Sequence, residues 1–271
     1  MKDHTGLVEA IPSGATLRRS IPWKDLRSLT RREIVKELVL PLPWLAASLC
    51  AARLHWYVLA LPCSFMFFLT GLRQVHGAFH YSIGIPRRAT ELVIMMLSGL
   101  MLGSMHAVQI NHLRHHAHCM KDGDVEAMSA RMPAWKALLT GPAFPLRLHA
   151  AALEVAAPRQ RTWIRLEILL TAAVVAAAWL STIGWLRYHV IAMAIGQCMT
   201  SFFAVWTVHH DCDVDGLFAR TIRGRVKGWA TYDMFYHLEH HLFPAVPTCR
   251  LPELAKRLDA IDPQLSSKRV F

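Results

Sequence analysis

Histidines are the residues of this sequence with the most chemistry to offer. His76-Gly-Ala-Phe-His80 holds two imidazoles four residues apart, and His112-Leu-Arg-His115-His116 holds three. His237-Leu-Glu-His240-His241 repeats the second pattern, and an adjacent pair, His209-His210, precedes it. Offsets of three and four bring rings to one face of a helix, a turn apart. Neutral imidazole ligates Fe, Zn, Cu and Ni, and eight or nine such ligands exceed what one ion accepts. The count therefore predicts two ions, each with four or five nitrogens and positions open to oxygen. The candidate ligands are His76, His80, His112, His115, His116, His209, His210, His237, His240 and His241. Of His209 and His210, helix geometry lets only one face a given ion, and the spacing does not settle which. An all-imidazole shell leaves four positive charges uncompensated, so carboxylates are expected to hold the rings from behind and offset charge. Asp124, Glu126, Asp211 and Glu239 lie in the boxes or just after them and are the candidates for that role.

The remaining histidines read more plainly. His106 sits in an apolar run and fits a core or interface histidine, while His118 falls off the ligand face of the second box. His4, His55, His149 and His189 read as solvated loop residues with no function.

These boxes need elements to carry them, and the composition says which. Of 271 residues, 54% are apolar and 18% charged, the balance of several membrane-spanning helices joined by polar segments. Apolar runs cover Ile34–Ala52, Trp56–Leu72, Leu92–Ile110, Leu166–Trp185 and Tyr188–Val208. Pro41 and Pro43 should kink or shorten the first. Arg53-Leu54-His55 separates the first two runs and a break near Arg187 the last two, so each pair reads as a hairpin with a short outer turn. Crossing by Leu92–Ile110 would put the boxes on opposite faces, so that run is expected to lie in the interface or dip into the bilayer. An amphipathic helix is expected over Pro252–Ile261, with Leu254, Leu258 and Ile261 on one face. The divisions expected are a basic arm (1–33), a membrane domain (34–248) and a tail (249–271).

The formal charge of +11 concentrates in the arm, in the stretch containing Arg131, Lys136, Arg147, Arg159, Arg161 and Arg165, and in the tail. The positive-inside rule puts these, both termini and the boxes in the cytoplasm. No nucleic-acid motif accompanies the charge, so no nucleic-acid partner is expected. The first 35 residues lack an apolar core and read as no signal peptide. The six cysteines, Cys50, Cys63, Cys119, Cys198, Cys212 and Cys249, form no CxxC pair, which argues against a zinc ribbon or redox dithiol.

The order HxxxH, HxxHH, a histidine at the end of the last span, then HxxHH resembles the membrane fatty acid desaturase and hydroxylase superfamily. The tail His237-Leu-Glu-His240-His241-Leu-Phe-Pro-Ala-Val-Pro followed by Leu251-Pro-Glu-Leu is similar to that family's C-terminal signature. Asp124-Val-Glu126 is similar to its acidic pair after the second box. The resemblance spans roughly residues 38–260. It implies an all-α integral membrane protein with four transmembrane helices as two hairpins, and a cytosolic helical cap holding a non-haem di-iron site. It implies one ion on His76, His112, His116 and His237, and the other on His80, His115, His240, His241 and a histidine near position 210, with His210 favoured over His209. An asparagine that holds a water in some members is replaced here by Val205 or Trp206.

The chemistry implied is O2-dependent oxidation of an unactivated C–H bond, most simply desaturation of an acyl chain or similar apolar substrate. It requires two non-haem Fe ions (zinc being a possible substitute in purified protein), O2 and external electrons. No segment is long enough for a fused cytochrome b5 module, so a separate donor of ferredoxin, rubredoxin or cytochrome b5 type with its reductase is expected. The alternatives are a hydroxylase, desaturase or ketolase of a carotenoid, alkane or secondary metabolite, and a non-enzymatic metal or haem carrier. Carriers place polar ligands near the bilayer midplane, whereas these boxes sit at span ends.

Overall fold

Each apolar run of the sequence becomes helix. The computed structural model describes residues 14–212, 219–263 and 265, and their regular structure is helical, without a strand. In order the helices are α1 (Gly14–Ser20), α2 (Arg31–Val39), α3 (Leu42–Arg53), α4 (Tyr57–Phe79), α5 (Arg87–Met101), α6 (Met105–His118), α7 (Ala134–Leu139), α8 (Phe144–Val155), α9 (Pro158–Leu180), α10 (Gly184–Thr200), α11 (Thr207–His209), α12 (Arg225–Thr231), α13 (His237–Leu242) and α14 (Leu251–Ile261). Among the described residues, four stretches are long and apolar enough to cross a membrane: Arg31–Arg53, Tyr57–Phe79, Pro158–Leu180 and Gly184–His209. Their outward side chains suit lipid: Val58, Leu169, Leu180, Ile191 and Ile195 are exposed. Where helices touch, small and hydroxyl residues let them approach. Ser64 bridges Ser48 (2.7 Å) and the hydroxyl of Tyr188 (2.9 Å), and Gly196 faces the ring of Phe68 so closely that an added Cβ would lie 2.6 Å from it.

Two boundaries of the last two spans differ from the sequence expectation. The helix expected from Leu166 begins at Pro158, because proline at the first helical position gives up an N–H that would be unpaired anyway. Arg159, Arg161 and Arg165 therefore ride on its first turns. The break expected near Arg187 falls at Ser181–Ile183 instead. Arg187 is inside α10, and its guanidinium donates to the carbonyls of Ala178 (3.0 Å) and Ser181 (2.5 Å), covering the open end of α9.

The break between α2 and α3 comes from Pro41, which has no N–H for the carbonyl of Glu37. Gln74 of α4 supplies the donors, to Glu37 O (3.0 Å) and Leu38 O (2.8 Å). The Glu37 carboxylate in turn forms a buried two-armed ion pair with Arg73, whose Nε donates to Tyr232 O (2.6 Å).

The run expected to lie in the interface or dip into the bilayer is sharply bent, with α5 and α6 meeting at 113°. Leu102 adopts a left-handed conformation and Ser104 caps α6. A break among apolar neighbours must find partners for its backbone within the protein, and it does so with side chains of neighbouring helices. His189 donates to Leu100 O (2.9 Å) and Gln197 to Met101 O (2.7 Å), while His149 accepts from Ser104 N (2.8 Å). His149 and His189 are thus anchors of the bend rather than solvated loop histidines. His106, held between Glu167 (2.5 Å) and Glu91 (2.6 Å), fastens the start of α6 to α9 and α5.

The basic arm and the tail pack together. Leu17, Ile21 and Leu26 share a core with Leu238, Phe243, Leu251, Leu254 and Leu258, so both ends of the chain support the third histidine box. Leu254 and Leu258 face inward as expected, but Ile261 is exposed.

Glu37→Ala should leave the Arg73 guanidinium buried and uncompensated, at a cost of about 3–5 kcal/mol. The expected reading is a fall of roughly 10 °C in the thermal midpoint of the detergent-solubilised protein. A Glu37→Leu, Arg73→Met double variant should lose less than the single one.

Candidate metal centre

The bend is what brings the boxes together. A straight helix from 87 to 118 would end about 48 Å from its start, whereas the bent pair returns the second box to the end of α4. His76 lies on the last turn of α4, and His80 closes it. His112, His115 and His116 lie on the last turns of α6, His209 ends α11, and His237, His240 and His241 form α13. A π-helical segment, Ser201–Trp206, precedes His209; such segments recur at functional sites because they re-aim the residues after them. Residues 219–222 then run between α11 and α13: Arg220 N donates to Val208 O (2.8 Å), and Leu238 N to Arg220 O (3.0 Å).

Nine rings converge in two groups. The donor atoms of His76, His80, His112, His116 and His240 lie within 4.8 Å of one another. His112 Nε2 is 3.0 Å from that of His80 and 3.1 Å from that of His116, which is 2.9 Å from His240 Nε2. In the second group His115 Nε2 lies 3.2 Å from His209 Nε2, and His237 Nε2 lies 2.9 Å from His209 Nε2 and 3.1 Å from His241 Nε2. Cys119 Sγ, 3.6 Å from His115 Nε2, lies with the donor atoms of His115, His209 and His241 within 4.8 Å of one another, a set that leaves out His237.

The division differs from the one the resemblance implies. His80 and His240 belong with the first group and His237 with the second. The reason is helical: residues four apart stay together, so His76 and His80, His112 and His116, and His237 and His241 each remain a pair. The middle histidine of each HxxHH box points to the other group. His209 takes the place expected for His210. The chain leaves the helix at His210, whose ring lies flat on Trp206 at 4.0 Å and whose Nδ1 donates to Trp206 O (2.8 Å).

Of the four candidate supporting carboxylates, two meet histidines. Asp124 Oδ2 accepts from His115 Nδ1 and Glu126 Oε1 from His112 Nδ1, both at 2.8 Å. Burial pushes the Asp124 carboxyl up, but the hydrogen bonds from His115 and from the backbone N–H groups of Met120 and Ala127 outweigh it and hold it below its usual range. Burial raises Glu126 to about 7, and its Oε2 is buried without a hydrogen bond. Glu239 instead accepts from Thr221 (2.7 Å) and Arg223 (2.6 Å) and braces α13 from behind, with Arg223 reaching on to Asp259 of α14. Asp211 is exposed, 4.0 Å from Arg220, and touches no histidine of the cluster.

This donor set fits metal ions. With Nδ1 turned to a carboxylate, the neutral rings of His112 and His115 would present the Nε2 lone pair to an ion. Burial and the neighbouring imidazoles push His237, His240 and His241 well below the usual histidine range, which keeps these rings neutral and ligand-competent. Neutral rings meeting nitrogen to nitrogen at about 3 Å repel one another unless protons or a cation lie between them. Two metal–nitrogen bonds of about 2.1 Å at a right angle put their nitrogens about 3.0 Å apart.

With the geometry established, the comparison with known families is decisive. A profile of the family described as Fatty acid desaturase matches residues 54–269. The chain belongs to the fatty acid desaturase family. Membership makes it a membrane oxidoreductase of the desaturase and hydroxylase kind, and the matched span takes in every histidine of the cluster. No curated protein matches the chain significantly.

Replacing His209 with Ala should cost the purified protein one bound ion, whereas His210→Ala should retain both; elemental analysis distinguishes them. Asp124→Asn should lower metal affinity about 10–100-fold, and Asp211→Asn should leave it unchanged, as read by release to a chelator.

Proposed function

We propose that this family member is a membrane-bound, O2- and electron-donor-dependent di-iron desaturase that introduces a C=C bond into an acyl chain or similar apolar substrate. One observation carries the reading. A cavity of about 70 Å³ lies against the centre, walled by Leu72, Val108, Phe144, Leu148, Ala204 and Val208, with His76, His112 and His237 at its polar end. Both histidine groups thus border one mostly apolar space, also lined by Glu126 and Thr200, where a saturated C–H bond can sit beside the metals.

His76, His80, His112, His116 and His240 would hold one iron, and His115, His209, His237 and His241 the other. Two reduced irons supply dioxygen activation and hydrogen removal from an unactivated C–H bond. The chain's own work is positional. Asp124 and Glu126 fix two rings through Nδ1–H and so keep Nε2 deprotonated. The apolar wall binds and aligns the substrate. The electrons come from a separate carrier protein.

The membrane arrangement follows from charge and helix length. His76 lies 19 residues beyond Tyr57 in α4, about 28 Å along the helix, so the short turns at Leu54–Trp56 and Ser181–Ile183 sit at the opposite bilayer face. Trp56, Tyr57 and Trp179 are exposed near those turns, as interfacial aromatics are. We place the histidines, the cap formed by α1 and α12–α14, and both termini in the cytoplasm, with the spans as two hairpins.

Protein purified after iron supplementation should hold two iron per chain, and His240→Ala should abolish product while the protein stays in the membrane. Cells with and without the gene should differ in acyl-chain unsaturation; identical lipid profiles beside a changed apolar metabolite would replace the acyl substrate with that metabolite. Ala204→Phe, which fills the cavity, should cut turnover at least tenfold with iron content intact. Full turnover in that variant would remove the cavity from the reaction.

A further inference from the structure

The second box contains one more pair at a spacing of four than its histidines reveal. His112 and His116 form the first pair, and His115 and Cys119 the second. We propose that the Cys119 thiolate is a ligand of the ion held by His115, His209 and His241. The two ions then have unlike donor sets, one of nitrogen alone and one of nitrogen and sulfur. The inference rests on reading the paired ring clusters as a two-metal centre.

Geometry supports it. Cys119 is buried, and its sulfur lies in the same 4.8 Å donor group as nitrogens of His115, His209 and His241. Its Sγ is 3.6 Å from His115 Nε2. Metal–nitrogen and metal–sulfur bonds of about 2.1 and 2.3 Å together reach about 4.4 Å, so one ion can be bonded to both atoms. With its Nδ1 2.8 Å from Asp124, a neutral His115 turns its Nε2 lone pair to that side. A weak S–H donation to that nitrogen is the competing role for the thiol, but the same lone pair already faces His209 Nε2 at 3.2 Å.

Donor count and charge point the same way. The first compact donor set has five nitrogens and the second only three, which the sulfur raises to four donors. The position one turn before His209 is Val205, which is apolar, and Trp206 donates its ring N–H to Met132 O (2.8 Å), so neither offers a lone pair to the ion. Binding converts Cys119 S–H to a sulfur–metal bond with release of one proton and no change of oxidation state. The thiolate puts one negative charge directly on a centre that imidazole alone leaves strongly positive, and sulfur suits the softer divalent metals.

X-ray absorption at the metal edge of the intact wild-type protein, loaded with two ions, tests this without any variant. The expected result is one sulfur neighbour per two ions at about 2.3 Å. Cobalt-loaded protein should show a sulfur-to-cobalt charge-transfer band that is lost in Cys119→Ser and kept in Cys198→Ser. Two bound ions with only nitrogen and oxygen neighbours, or a band that survives Cys119→Ser, would overturn the proposal and leave the two-metal reading standing. A chain that binds one ion or none overturns the two-metal reading, and this proposal with it.

Discussion

Lone pairs that face one another at about 3 Å govern the rest of the molecule. Nitrogen-to-nitrogen contacts of 2.9–3.2 Å run through the cluster, and without a cation they are a concentrated repulsion. Burial forbids relief by protonating every ring, since a buried charge is more costly still. The fold must therefore force the rings together. The cap does so with Glu239, clamped by Thr221 and Arg223 behind α13, and with the core that the N-terminal arm and α14 build beneath it.

The same demand explains the bent pair. Histidines at the ends of α4, α6 and α11 can meet only if the intervening chain leaves the centre and returns to it. Breaking a helix among apolar neighbours exposes carbonyls that no water will satisfy. His189 and Gln197 of α10 cover two of them, and the Ser104 cap, His149 and Glu167 secure the start of α6. The break between α2 and α3 uses the same device, with Gln74 donating where Pro41 cannot.

Sequence alone revealed the helices, the four apolar spans and the histidines that the structure brings together, because each rests on a local period or on a spacing. It misread what depends on tertiary partners. Arg187 looked like a break and is a cover for the end of α9, since its long stem reaches carbonyls that the sequence does not show to be open. His149 and His189 looked solvated because nothing local marks them as partners of the bend. Asp211 and Glu239 stood beside ligands in sequence, yet one faces solvent and the other braces a helix from behind. His210 lost its place to His209 because the chain exits the helix there, with the π-helical segment just upstream.

The division of rings between the groups, by contrast, was available in the sequence and was obscured by analogy. Helical spacing keeps residues four apart on one side and sends the middle histidine of HxxHH to the other. The second box gives two rings to the first group and one to the second, and the third box does the reverse. The HxxxH box adds two to the first group and His209 one to the second, giving five and four. This arithmetic leaves the second group one donor short, and its own rule points to the residue four beyond His115. A search for histidines alone passes over that residue, because the donor there is sulfur.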